Sequence, residues 1–291
     1  MQGAVAAGSR PTAEAGAHVL AEGGNAVDAC IAAVFAAAVA EGPLTGPAGG
    51  GFLLAWVDGA ATVIDCFFAV PARPLGAMEE LVVDFGDAST QVFHVGEGSV
   101  AVPGLVAGLD AAHRRFGTVP WADLLEPALE LAAAGVETSE AQRVLHLILK
   151  DILLHEEAGR AIYGDGRRIE TAGFVPLLER LRDVRRVAVA ELLPELADEV
   201  LGYTVQTPEP LRTEIDRRTV LTAPAPSRGG ARRPEKRVQA RSNEPQKKCT
   251  GLTLPRKACG WTSTTISFIS TEPYRWSGNS VVRGLVDSCT T

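Results

Sequence analysis

The stretch Leu20-Ala21-Glu22-Gly23-Gly24-Asn25-Ala26-Val27-Asp28-Ala29 decides how the rest of this chain is read. On its N-terminal side, residues 11–22 carry Ala15, Val19 and Leu20 as a partial apolar stripe, which predicts a helix. Gly23-Gly24 ends that helix, and the Asn25 side chain can cap the next one. The second helix, residues 26–40, is built almost wholly of Ala, Val, Ile and Cys. Small apolar residues around the whole circumference imply burial on several sides and close backbone approach. This is a core helix.

Downstream, Gly42-Pro43 stops the core helix, and Gly46-Pro47-Ala48-Gly49-Gly50-Gly51 forms a tight turn. A strand over 52–57, an Asp58-Gly59 turn and a returning strand over 61–68 make a hairpin. Glycines of this kind can cradle an anion, but no Lys-Ser/Thr follows and the turn enters a strand, so this is not a phosphate loop. Tight packing is favoured over ligand contact. Residues 92–102 are β-rich and end at Pro103-Gly104. Helical patterns follow over 106–116, 121–134, 141–157 and, more broadly, 177–201, with a short strand at 219–222. His113-Arg114-Arg115 fall in a last helical turn, where positive charge suits the dipole. His146 and His155 lie nine residues apart, which is no ligand spacing, and read as surface or capping residues. The fold class is α/β in the broad sense, a layered α+β arrangement with a helical lobe. There is no βαβ repeat and no dinucleotide fingerprint.

Bulk properties narrow the function classes. A chain of 291 residues can bury one sizeable core or two modest ones. Its 46% hydrophobic and 22% charged composition is that of a soluble globular protein, and a net charge of −7 argues against whole-chain binding to a polyanion. The richest apolar run, residues 30–40, is mostly Ala and far short of the roughly 20 residues a membrane span needs. The N-terminus lacks a basic n-region and an apolar h-region, so the expectation is a cytoplasmic protein as encoded, with no membrane partner. Cys30, Cys66, Cys249, Cys259 and Cys289 form no C-x-x-C pair and have no His at zinc-ligand spacing. They read as buried or incidental thiols, with no metal and no cofactor.

The composition changes near residue 230. Residues 231–291 hold 11 Lys/Arg against 4 Asp/Glu, a net of +7, which leaves −14 for everything before them. Ala falls to three, and periodicity is lost over 232–259. Two domains follow: 1–230, and a basic tail over 231–291. The tail reads as a disordered basic arm, as a linker leading to strands at 264–269 and 280–286, or as out-of-frame translation. The abruptness of the change favours the last.

Several consecutive stretches carry a family resemblance. They are Gly3-Ala4-Val5-Ala6-Ala7, the Gly23-to-Ala29 run, Gly49-Gly50-Gly51-Phe52-Leu53-Leu54, and Val100-Ala101-Val102-Pro103-Gly104. Gly108-Leu109, Gly117-Thr118-Val119-Pro120-Trp121, Pro127-Ala128-Leu129-Glu130-Leu131-Ala132 with Gly135-Val136, and Pro224-Ala225-Pro226-Ser227-Arg228-Gly229-Gly230 continue it. In order and spacing the chain resembles the large-subunit half of the γ-glutamyltransferase (γ-glutamyl transpeptidase) family. The resemblance implies a partial αββα sandwich of the N-terminal-nucleophile hydrolases, with a large and a small subunit cut from one precursor. It further implies a terminal Thr whose hydroxyl attacks an amide while its own α-amine, with a pKa near 8, acts as base. The substrate class it implies is a small-molecule amide or peptide.

Two departures from the family pattern matter. Members that bind γ-glutamyl groups carry Asp-x-Arg-Glu-x-Ala-Pro, in which the Arg grips the substrate α-carboxylate. Here the matching stretch is Asp65-Cys66-Phe67-Phe68-Ala69-Val70-Pro71, so Phe67 stands at the Arg position and Phe68 at the Glu position. A phenyl ring cannot make a bidentate, charge-assisted contact. This marks a divergent branch whose acyl donor need not be γ-glutamyl. The second departure is the nucleophile. The nearest echo of the family's Thr-Thr-His motif is Thr264-Thr265-Ile266-Ser267-Phe268, which lacks the His, and Thr264 is the candidate catalytic residue it offers. The tail is rich in Ser and Thr, and a chance match competes with that assignment. The expectation is therefore an amidohydrolase/acyltransferase chain, truncated and inactive as given. The competing expectation is a non-catalytic binding protein with an acidic body and a basic tail. Trp261, Phe268, Tyr274 and Trp276 do not interleave with the tail's basic run, so no nucleic-acid partner is expected.

Overall fold

Asn25 and Asp28 form the reciprocal cap that the sequence suggests. In this computed structural model, which describes residues 3–86, 89–215 and 217–227, α1 (Arg10–Ala21) begins at Ser9 and ends before Gly23. Gly23 has φ +97°, a conformation that favours glycine, and it turns the chain into α2 (Ala26–Ala40). The Asn25 Oδ1 accepts from the N–H groups of Val27 and Asp28 at 2.8 and 3.0 Å, and Asp28 Oδ2 accepts from Asn25 N–H at 3.0 Å. α2 buries thirteen of its fifteen residues, including Asp28. It is the core helix that its composition predicts.

The hairpin is also as expected. β1 (Gly51–Val57) and β2 (Ala60–Cys66) pair antiparallel from Gly51↔Cys66 to Val57↔Ala60. Asp58 and Gly59 both have positive φ, 51° and 75°, as a two-residue hairpin turn of matching twist requires. A second hairpin, β3 (Glu79–Asp84) with β4 (Thr90–Val95), replaces the single strand predicted over 92–102. The strand stops early because Gly96 takes φ +92° and a 3-10 turn, Glu97–Ser99, follows. Extended pairing resumes only at Val102, which bridges to Ala69.

The helical lobe keeps its predicted positions but is cut more finely. α3 (Leu105–Phe116) is followed by a 3-10 turn at Asp123–Leu125 and then α4 (Glu126–Ala134), with Pro127 in its first turn. β5 (Val136–Glu137) pairs with β6 (Arg168–Ile169). Between them lie α5 (Glu140–Leu153), which stops short of the predicted end at 157, and α6 (Glu157–Tyr163), which the sequence did not mark. The pattern over 177–201 resolves into α7 (Val175–Val184), α8 (Arg186–Leu192) and α9 (Ala197–Gly202). Arg185 at φ +53° makes the first break, and Pro194 sits at the second. The last strand lengthens to β8 (Arg218–Thr222) and pairs with β7 (Leu211–Ile215).

Among the described residues every sheet is a two-stranded antiparallel pair, so the architecture is α+β. One core runs from α2 through α3, α4 and α7 to α8, with Phe35 edge-on to Trp121 at 5.5 Å. No helix among the described residues is long and apolar enough to cross a membrane.

Asp28 ties this core together across 90 residues of sequence. Its Oδ2 accepts from Thr118 Oγ1 at 2.6 Å and its Oδ1 from Thr118 N–H at 3.0 Å, while Asn25 Nδ2 donates to Phe116 O at 2.7 Å. Replacing Asp28 by Ala removes the charged acceptor shared by the Asn25 N–H and by the Thr118 N–H and hydroxyl, and a hydrogen bond to a charged group contributes about 1.5–3 kcal/mol. The expected outcome for Asp28→Ala is a loss of about 3 kcal/mol in urea denaturation, with little change for Glu14→Ala at the exposed Arg10–Glu14 pair. Equal midpoints for the two variants would contradict this.

Candidate functional site

Three of the sequence signatures meet where β2 ends. Phe67 N–H donates to Asp65 Oδ1 at 3.0 Å, and Phe67 O accepts from the Tyr203 hydroxyl at 2.6 Å. The Asp65 main chain exchanges hydrogen bonds with Gln206 at 2.8 and 3.1 Å. The Tyr203 phenol is pushed up to about 12 by burial, with Cys66 and Asp65 adding to the shift, so it stays a donor at ordinary pH. The Phe67 ring stacks on Phe52 at 5.5 Å and meets Phe68 edge-on at 5.3 Å.

The glycines around this point leave no room for side chains. A Cβ on Gly50 would lie 3.0–3.2 Å from Phe68 N, Cys66 O and Phe67 C, all backbone atoms. One on Gly104 would sit 2.5 Å from Cys66 O and from the Tyr203 ring, and one on Gly108 2.3 Å from Cys66 Cβ. Gly49 O accepts from Leu105 N–H at 3.0 Å, which fixes the start of α3 to the glycine turn. Close packing is thus what these glycines do on their inner side.

On its other side the glycine turn borders a cavity of about 750 Å³. Its remaining wall comes from Phe67 and Phe68 and, across the fold, from Phe174, Leu177 and Leu192. Among the described residues no charged side chain lines it, and Thr45 is the one polar side chain. The cavity can take up a small apolar group and offer it main-chain polar contacts from the turn. A separate small cavity of about 40 Å³ lies between Cys30, Cys66 and the start of β1. Burial pushes both thiols up to about 12, and Cys66 Sγ donates to Gly51 O at 3.2 Å. Among the described residues no cluster of His, Cys, Asp and Glu could hold a metal ion.

Of the residues singled out in the sequence, Phe67 lies in the cavity wall, whereas Thr264 lies outside the described residues. Ser227 is described, but Arg228, Gly229 and Gly230 are not. His155 is half-buried, 3.7 Å from Glu79 and 3.6 Å from Glu156. His146 is a correction: it is buried on α5 rather than at the surface. The turn at Gly166 makes room for it, since a Cβ there would meet the imidazole at 2.4 Å. Tyr203, Phe174, Leu177 and Leu192 were not marked in the sequence. They lie more than 100 residues from the glycine turn, on segments whose apolar pattern signals only a buried face.

The Gamma-glutamyltranspeptidase family model matches residues 12–184, more than half of the chain. The chain belongs to the γ-glutamyltranspeptidase family. Glutathione hydrolase proenzyme of Pseudomonas aeruginosa is 30% identical over 249 residues, covering 78% of this chain and 44% of the relative. Acylase ACY 1 proenzyme of Pseudomonas sp. (strain SE83) is 41% identical over 126 residues, covering 42% of this chain and 23% of the relative. The chain thus spans less than half the length of these curated relatives. Among solved structures, γ-glutamyltranspeptidase from Pseudomonas nitroreducens complexed with L-DON superposes with a TM-score of 0.64 at 28% identity. That match covers 78% of this chain and 72% of the other. The described part therefore has the fold of a γ-glutamyltranspeptidase, the N-terminal-nucleophile hydrolase type implied by the sequence.

Two outcomes follow from this packing. Gly104→Ala forces a methyl group into backbone and ring atoms and is expected to cost about 1–3 kcal/mol, whereas Gly173→Ala, with nothing within 4 Å, is near neutral; thermal melts of the pair check this. The second concerns Cys30 and Cys66. With folded values of about 12, both thiols stay protonated when an unfolded thiol, near 8.5, has ionised. The fold therefore binds more protons than the unfolded chain in that window, and this stabilisation is full below about pH 8.5 and declines toward pH 12. Alkylation by iodoacetamide at pH 8.5, mapped by mass spectrometry, is expected to spare Cys30 and Cys66 until denaturant is added. Rapid native labelling of either would contradict the burial.

Proposed function

We propose that this chain supplies the large-subunit region, residues 1–230, of a γ-glutamyltransferase-like amidohydrolase/acyltransferase. The observation that carries the proposal is the glycine turn packed against Phe67-Phe68 at the rim of a cavity, in a chain of this family. The difference in coverage supports the same reading. One matched stretch spans 44% of a relative named a proenzyme but 72% of a solved chain, as expected if a precursor is cut and this region aligns with the larger product.

The chemistry proposed is acyl transfer from an amide to a terminal Thr. The Thr hydroxyl adds to the carbonyl, its proton passes to the Thr α-amine, and the amine of the substrate leaves carrying that proton. Water then releases the acid, or an acceptor amine takes the acyl group. The cavity would hold the acyl side of the substrate. Thr264 is the candidate nucleophile within this sequence, and it acts only if the chain is cut immediately before it. Residues 231–291 are proposed as a separate basic segment.

Intact-mass measurement of the purified chain, together with an amide-turnover assay, tests the assignment. The expected outcome is one uncut species without turnover. A fragment beginning at Thr264 that turns over an amide would instead assign the nucleophile to Thr264. Saturation-transfer NMR with small amides tests the broader reading. If no amide binds and RNA is retained in a salt-dependent way, the competing reading as a binding protein with a basic tail takes its place.

A further inference from the structure

The cavity beside the glycine turn has a definite chemical character. Among the described residues its side-chain wall includes Leu44, Phe67, Phe68, Phe174, Leu177 and Leu192, and Thr45 is the one polar side chain. Leu44, Phe68 and Leu192 are 41%, 44% and 50% exposed, so an apolar ligand seated there would remove apolar surface from water. Its volume of about 750 Å³ fits a small organic group.

An amino-acid headgroup would fare poorly in such a place. It brings a carboxylate and an ammonium into contact with rings and leucines, and no described lining residue carries a compensating charge. An aromatic ring would fare well. Phe52, Phe67 and Phe68 already form a continuous array, stacked at 5.5 Å and then edge-on at 5.3 Å, and Phe68 is half-exposed and lines the cavity. A further ring extends the array in a favoured offset or edge-to-face geometry. A neutral amide attached to that ring would meet the main-chain groups of the glycine turn and the Thr45 hydroxyl.

Resting on the reading above that this cavity holds the acyl side of an amide, we infer that the acyl group it selects is an uncharged aryl-acyl group rather than an amino-acid one. The side chain at position 67 contributes by its apolar ring, whose main chain is fixed on either side by Asp65 and Tyr203.

Saturation-transfer NMR on the full chain, with phenylacetamide and L-glutamine as the two probes, tests this directly. Phenylacetamide is expected to bind through its ring protons and L-glutamine to bind at least about tenfold more weakly. Phe68→Ala should weaken phenylacetamide about tenfold. The half-exposed Leu192→Lys is a second variant that tolerates its new charge at the rim; it should weaken phenylacetamide and strengthen phenylacetate. Circular dichroism melts confirm that each variant is folded. Preference for L-glutamine would overturn the inference while leaving the amidohydrolase reading in place. Binding of neither probe, by a chain that melts cooperatively, would overturn both. Phenylacetamide bound equally by the wild type and both folded variants would place it elsewhere and overturn the assignment of this cavity.

Discussion

The buried carboxylate of Asp28 is the constraint on which the described fold depends. It completes the cap of α2 through Asn25 N–H and at the same time holds Thr118 by main chain and hydroxyl. A carboxylate without water is costly unless its lone pairs are met, and here hydrogen-bond donors from two distant segments meet them. One side chain therefore fixes both the start of the core helix and the position of the turn after α3. Trp121, three residues beyond Thr118, is thereby brought against Phe35, and its indole N–H reaches Leu181 O at 2.9 Å. The helical lobe is anchored to α2 through that contact.

From this anchor the cavity follows by geometry. α3 is set in direction by the Thr118 turn at its end and by Leu105 N–H on Gly49 O at its start. Its glycines, Gly104 and Gly108, let it lie against Cys66, which positions the exit of β2. Arg185 links the far side: it stacks on Trp121 at 4.8 Å and pairs with Asp110 of α3. Its positive φ separates α7 from α8, and that separation lets Leu177 and Leu192 approach the glycine turn from two helices. The cavity wall is thus made by elements whose placement derives from a few polar contacts in the core.

Local rules made the first 68 residues legible. Caps, glycine turns and hairpin chemistry act within a few residues, and α1, α2, β1 and β2 lie where their patterns place them. The β-rich stretch 92–102 holds a strand only as far as Val95, because Gly96 and Gly98 interrupt it by a close approach to residues 76–78, a tertiary contact that β-propensity does not encode. The broadly helical pattern over 177–201 did not reveal the break between α7 and α8, because Arg185 adopts positive φ, which its residue type does not announce. His146 was misread for a similar reason: its burial depends on a turn twenty residues away. The candidate site was half legible. Phe67 could be marked by its place in a motif, but Tyr203, which holds its carbonyl, belongs to a segment with no pattern pointing back to it.

That last contact bears on how residue 67 is held. The conformation of residue 67 is set by bonds to its own N–H and C=O, from Asp65 and Tyr203, and none of them involves its side chain. The glycines that crowd the exit of β2 likewise lie against backbone atoms, Cys66 and the Tyr203 ring, not the Phe67 ring. Main-chain scaffold and side chain are thereby separated at this position. A side chain of different chemistry can occupy it without disturbing the hydrogen bonds that build the wall, provided the neighbouring surface accommodates it. Here Phe52 and Phe68 pack against the ring and Phe174 and Leu177 line the same cavity, an environment that would penalise an unpaired guanidinium and favours a ring. The aromatic residue at 67 and the apolar residues that line the cavity with it are of one chemical kind, so a guanidinium introduced at 67 alone would find no charged partner among the described lining residues.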